Sequence, residues 1–198
     1  MKIHQQPETN LRQQKLEEFF HQEKPAKSEA SILPKIRCSS NPDINYISPQ
    51  SLADLLDNKI SIEKYLVIDA RYPYEYEGGH IQSAVNISSP ENLSSILEGS
   101  NWENTPIIIH CEFSQQRGPA LYRWLRNSDR LQNMENYPAL SYPELYILQG
   151  GYSEFFKLFE NFCTPQSYVT MKDPLHKHDR KKLKSKTCQP RKAYLRCS

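Results

Sequence analysis

Apolar residues in this chain gather into short runs separated by polar, turn-forming segments, and the runs are of two kinds. Four of them, YLVID (65–69), AVNI (84–87), PIIIH (106–110) and ELYILQ (144–149), are brief and predominantly apolar. That is the pattern of strands covered on both faces. The other runs repeat at helical spacing. SPQSLADLLDN (48–58) opens with Ser48 as N-cap and Pro49 in the first turn, and Leu52, Leu55 and Leu56 share one face. ENLSSILEG (91–99) closes on Gly99. RGPALYRWLRNSDR (117–130) predicts a further helix. YSEFFKLFENF (152–162) predicts an amphipathic one, entered through the Gly150-Gly151 turn. Short apolar strands alternating with helices predict an α/β domain, with a central parallel sheet and helices on both faces. Ligands of such sheets bind beyond the carboxyl ends of the strands.

Composition places the domain within the chain. All six glycines fall between positions 78 and 151, and the domain is predicted over residues 41–171. Residues 1–40 are rich in Gln, Glu and Lys, with at most one helix around Leu11–Phe20, and are predicted to be a largely flexible tail. Residues 172–198 carry ten Lys/Arg against two Asp, a net of +8. The overall charge of +2 therefore hides a body of net −6. This basic tail is too charged to bury a core unaided. No run approaches the ~20 apolar residues of a membrane span. The opening MKIHQQPETNLRQQ lacks the apolar core of a signal peptide. Cys38, Cys111, Cys163, Cys188 and Cys197 include no CxxC pair, so neither a zinc site nor a disulfide framework is indicated. A reducing compartment, nucleus or cytoplasm, is expected, with no membrane association and a monomeric state.

The chemistry concentrates after PIIIH, in His110-Cys111-Glu112-Phe113-Ser114-Gln115-Gln116-Arg117-Gly118-Pro119. A cysteine at a strand end is followed six positions later by an arginine that opens a helix. Five intervening residues can curl so that their N–H groups converge, and such a nest at a helix N-terminus binds an oxyanion. Arg117 adds a planar donor pair. Cys111 at the base of the ring lies in a positive field, which favours a thiolate. That thiolate is placed for in-line attack on phosphorus, giving a phosphocysteine. By itself C-x5-R is also the pattern of a structural cysteine at a strand end.

HCEFSQQRGP resembles the active-site loop of the M-phase inducer phosphatases, dual-specificity enzymes that activate cyclin-dependent kinases. IDARYPYEYEGGHIQSAVN (68–86), YPALSYPELYILQGGYSEFF (137–156) and INYISPQSLADLL (44–56) resemble that family's segments before the catalytic strand, after it and at the domain entry. The resemblance covers roughly residues 31–171. It implies a rhodanese-like three-layer fold and a protein tyrosine/threonine phosphatase that removes inhibitory phosphates from a cyclin-dependent kinase–cyclin complex and so promotes cell-cycle progression. Cys111 would be the nucleophile. Residues Glu112, Phe113, Ser114, Gln115, Gln116 and Arg117 would hold the phosphate. Arg126, Arg130 and Tyr137 would dock the kinase. No metal or organic cofactor is implied.

Two departures stand out. Members often carry a glutamate, proposed as general acid, where this chain has Gln116; Glu112 or a carboxylate of the kinase are the candidates left for that role. Many also carry a cysteine where this chain has Ala70, which closes a protective disulfide with the nucleophile. Asp69 and Arg71 are expected to bond neighbouring loops, His80 to cap a turn, His110 to pack or tune the thiol, Trp102 and Trp124 to pack, and Tyr72, Tyr74 and Tyr76 to alternate along an extended segment. His176 and His178 are too isolated for a metal. The alternatives are an arsenate reductase of the same fold, or a catalytically silent phosphopeptide-binding module. Sulfur transfer is disfavoured because rhodaneses usually have a loop one residue shorter. DRKKLKSK (179–186) reads as a nuclear-import or nucleic-acid segment.

Overall fold

The structure, a computed structural model, describes residues 31–99 and 101–187. The four apolar runs form strands, each trimmed at one or both ends: β2 (Leu66–Asp69), β4 (Ala84–Asn86), β5 (Ile107–His110) and β6 (Leu145–Leu148). With β1 (Tyr46–Ile47) they make one parallel sheet in the order β1-β6-β5-β2-β4. The PIIIH strand is the central one. Because successive side chains point to opposite faces, Ile107 and Ile109 join one core and Ile108 the other, and all three are fully buried.

Helices cover both faces. α1 (Pro49–Leu56) and α5 (Gly151–Phe159) supply Leu52, Leu55, Tyr152 and Phe155 to one core. α3 (Pro90–Leu97) and α4 (Arg117–Gln132) supply Leu93, Leu97, Leu121 and Leu125 to the other. The predicted caps are in place: the Ser48 hydroxyl accepts from the Ser51 N–H at 2.9 Å, with Pro49 at the first position. The expected three-layer arrangement is thus observed.

Two expectations are corrected, and one element is added that the sequence did not announce. Residues 72–77 are not extended. Pro73–Glu77 form a one-turn helix, α2, because Pro73 suits a first helical position and Glu75 Oε2 reaches back to accept from the Tyr72 N–H at 3.0 Å. The tail expected through residue 40 is shorter than predicted. Leu33 is fully buried, its N–H donates to the Tyr146 hydroxyl, and Ile36 N–H donates to Tyr46 O at 2.7 Å, covering the β1 edge. The basic segment holds a helix, α6 (Lys177–Thr187), that no apolar stripe announced. Asp173 caps the turn before it, His176 stacks on Tyr74 with centroids 4.5 Å apart, and Arg180 donates to Met171 O. A two-stranded antiparallel ribbon, β3 (His80–Ile81) with β7 (Cys163–Thr164), completes the fold. The helix expected around Leu11–Phe20 lies outside the described residues.

Candidate active site

The loop from Cys111 to Gln116 leaves the carboxyl end of the central strand, and α4 begins at Arg117. Its shape is set from behind by α5. The Tyr152 and Ser153 N–H groups, free in a first helical turn, donate to the carbonyls of Cys111 and Glu112, each at 2.9 Å. In a trans peptide the N–H points opposite to the C=O, so the Glu112 and Phe113 N–H groups face away from α5. Ser114 bends the chain with a φ of 51°. Gly151 makes the close approach possible. It has a φ of 63°, and a Cβ there would lie 2.4 Å from Cys111 O and 2.7 Å from Glu112 O.

Arg117 is fixed by a residue that sequence reasoning passed over. Its Nη1 and Nη2 donate to Oε2 and Oε1 of Glu75 at 2.5 and 3.0 Å, and its guanidinium lies 4.9 Å from the Tyr72 ring centre. Glu75 itself is fully buried. Burial works against the charge on Arg117, but the Glu75 hydrogen bonds and attraction outweigh it and hold the guanidinium above its usual range. Arginine has five N–H donors. Glu75 takes one from each terminal nitrogen, leaving three: Nε–H and one N–H on each Nη, of which Nε–H and the Nη–H beside it can meet two oxygens of an anion. The signal for Glu75 was a carboxylate three residues after Tyr72 and two after Pro73, at the head of a short helix.

Behind the loop lies a buried ion pair. Arg71 donates to Asp69 through Nη2 at 2.6 Å and Nε at 3.0 Å, and to Gly79 O at 2.7 Å, with its guanidinium 3.8 Å from the Tyr152 ring centre. Asp69, Arg71 and His110 are all fully buried. Burial opposes ionisation of Asp69, yet its cationic neighbours, His110 when protonated and Arg71 throughout, hold the carboxyl below its ordinary value. Burial pushes the His110 imidazole down, against the pull of Asp69 Oδ2 3.9 Å away. The pair ties β2 to the Gly78-Gly79 turn, as expected of Asp69 and Arg71. Removing one partner of such a pair costs about 3–5 kcal/mol.

The remaining candidates are distributed as follows. Phe113, Gln115 and Gln116 are exposed on the loop, while Ser114 and Glu112 are buried. Glu112 accepts from the Tyr168 hydroxyl at 2.9 Å. His80 bonds Tyr76 O through Nδ1. Trp102 Nε1 donates to Leu97 O, and Trp124 packs on the core. Arg130 and Tyr137 are exposed. Arg126 does not share their exposure. Its Nη1 donates to Asp129 Oδ2 at 3.0 Å and its Nη2 to Pro143 O, inside a network in which Asp129, fully buried, also accepts from Asn133 and the N–H groups of Ser141 and Tyr142. A buried carboxylate that needs donors has drawn Arg126 inward. Among the described residues no His, Cys, Asp and Glu are grouped to hold a metal.

Ala70 packs in the same core as Cys111, whereas Cys163 belongs to the core across the sheet, its thiol pushed up to about 11 by burial. A sulfenic acid formed on Cys111 therefore meets no thiol at position 70 and none from Cys163. Mild peroxide is expected to carry Cys111 on to sulfinic acid, read by mass spectrometry, and dithiothreitol is expected to return little of it to the thiol. Full recovery together with a mapped Cys111 disulfide would refute this.

Comparison with known proteins places this geometry. The profile of the rhodanese-like domain matches residues 48–158. Human M-phase inducer phosphatase 1 is 43% identical over 152 residues, which is 73% of this chain and 29% of that protein. Bovine M-phase inducer phosphatase 3 is 44% identical over 162 residues, 78% of this chain and 32% of that protein. The chain thus spans less than a third of these relatives' own length. Among solved structures, a yeast protein tyrosine phosphatase of the rhodanese family superposes with a TM-score of 0.46 at 25% identity, over 59% of this chain and 86% of that one. The M-phase inducer phosphatases are the proteins whose motifs the sequence resembles. The chain belongs to the rhodanese-like domain family.

Proposed function

We propose that this chain is the catalytic part of a cysteine-dependent protein phosphatase acting on phosphothreonine and phosphotyrosine of a cyclin-dependent kinase–cyclin complex. The observation that carries the reading is the loop itself: a cysteine at the end of the central strand, loop carbonyls turned back onto α5, and a guanidinium held in place by Glu75 with donors to spare. Donors fixed before the reaction are what phosphoryl transfer requires, since its transition state spreads charge over three oxygens. Cys111 Sγ attacks phosphorus in line, an S–P bond forms as the ester O–P bond breaks, and water then hydrolyses the thiophosphate. Gln116 brings no acid and Glu112 is engaged by Tyr168, so the leaving oxygen takes its proton from a carboxyl of the kinase. Activity without docking is then expected chiefly on esters with good leaving groups.

Supported by its exposure, Arg130 is assigned to kinase docking together with Tyr137. Arg126 acts there only by bracing the end of α4. The helical run 179–186 is assigned to a nuclear import receptor, with nuclear and cytoplasmic residence and a monomeric state.

The test uses an aryl phosphate and a doubly phosphorylated kinase–cyclin complex. Wild type is expected to release phosphate from both, and Cys111→Ser from neither. Arg130→Ala is expected to slow the kinase reaction about tenfold and leave the aryl ester untouched. No phosphate release by wild type from either substrate removes the phosphatase reading. Turnover of arsenate with glutathione in its place would favour the reductase.

A further inference from the structure

The chain beyond α5 returns to the catalytic loop. After β7, residues 165–171 cross the Gly78-Gly79 turn and end beside Glu112. The crossing is tight. A Cβ on Gly79 would lie 1.9 Å from Ser167 O, and that carbonyl accepts from the Tyr152 hydroxyl at 2.7 Å. The Tyr168 ring stands edge-on to Tyr152 with centroids 5.5 Å apart, and 5.9 Å from Phe156. From this seat its hydroxyl donates to Glu112 Oε1 at 2.9 Å, and the Met171 N–H donates to the same oxygen at 3.4 Å. Met171 O in turn accepts from Tyr74 at 2.8 Å and from Arg180 at 3.3 Å.

Glu112 presents a problem that this strap solves. It is the first residue after Cys111, in a loop shaped for an anion, and its other oxygen, Oε2, lies 3.9 Å from Arg117 Nη2. A small rotation would give Arg117 a carboxylate in place of a phosphoryl oxygen, and the like charges of the two anions would oppose each other in a partly desolvated site. Burial pushes the Tyr168 hydroxyl up to about 12, so it remains a donor throughout the physiological range.

We propose that Tyr168 is a positioning residue that holds the Glu112 carboxylate out of the phosphate site and so keeps Arg117 available to substrate. The strap is then part of the active site, although it lies more than fifty residues beyond the loop. The proposal rests on the phosphatase reading for its substrate but not for its measurement, because oxyanion binding is read separately from turnover.

The experiment measures tungstate binding by calorimetry and, beside it, KM and kcat on an aryl phosphate. It compares wild type, Tyr168→Phe, Glu112→Gln and the double variant. Tyr168→Phe keeps the ring and removes only the donor. Its tungstate Kd and its KM are expected to rise about tenfold, the scale of a lost hydrogen bond to a charged group, with kcat changing less. Glu112→Gln is expected to bind tungstate at least as tightly as wild type. The double variant is expected to match Glu112→Gln, because without the carboxylate there is nothing to hold away. Tungstate affinity in Tyr168→Phe within twofold of wild type overturns the proposal. So does a double variant as weak as Tyr168→Phe, which would mark a structural loss, or a Glu112→Gln that binds more weakly than wild type. Tungstate binding by wild type without phosphate release would remove the phosphatase reading while leaving this assignment to stand or fall on the variants.

Discussion

Replacing Glu75 with alanine is expected to lower kcat/KM on an aryl phosphate by about 10²–10³-fold, the scale of losing one preorganised oxyanion donor. Glu75 touches no substrate. It orients Arg117 through two hydrogen bonds while its Oε2 also accepts from the Tyr72 N–H, so one carboxylate fixes both the guanidinium and the start of α2. Without it Arg117 must order itself on each substrate, and the entropy of a long side chain is lost at that moment instead of on folding. The stability cost is expected toward the low end of about 3–5 kcal/mol, since the Arg117 side chain keeps 24% of its surface accessible. Glu75→Gln keeps the shape and an acceptor but not the charge, and is expected to fall between alanine and wild type. A kcat/KM for Glu75→Ala within threefold of wild type, with the fold intact by circular dichroism, would show that Arg117 does not depend on this partner.

The second large effect is expected at Gly151. In Gly151→Ala the new methyl would lie 2.4 Å from Cys111 O and 2.7 Å from Glu112 O, both backbone atoms, so the loop or the head of α5 must move. A displacement of about 1 Å at a reacting centre costs about 10²-fold. The left-handed φ adds about 1–3 kcal/mol of strain. Gly150→Ala separates the two causes. Its φ is 72°, and its methyl would meet Glu154 Cβ at 2.5 Å, a clash within the first turn of α5 that involves neither loop carbonyl. Both variants are expected to melt earlier, and only Gly151→Ala to lose most of its turnover. Equal activity in the two would mean that the contact with the loop carbonyls does not set the site.

How much of this was legible in sequence depends on whether each cause is local. The strands could be read because a parallel sheet buried on both faces asks for unbroken apolar runs, and IIIH and LYIL satisfy it. The loop could be read because its cysteine, its arginine and the helix start all lie within seven residues. Glu75 could not. Its partner Arg117 is 42 positions away, and the alternating tyrosines around it concealed one helical turn behind a strand-like rhythm. The burial of Arg126 could not be read for a related reason. Its spacing from Arg130 is a local fact, but the buried Asp129 that draws it inward is needed by the backbone of Ser141 and Tyr142. The contact between Tyr168 and Glu112 spans 56 positions and left no periodic trace.

The way α5 backs the loop has one more consequence. Two helices, α4 and α5, present their amino ends to the same six residues, one directly and one through the carbonyls it holds. Each end is worth about half an elementary charge. Together they amount to about one positive charge made of peptide dipoles alone, and peptide dipoles do not titrate. The loop's attraction for anions is therefore permanent, present at every pH at which the chain stays folded. The pH dependence of turnover is left to the reacting groups and to the substrate.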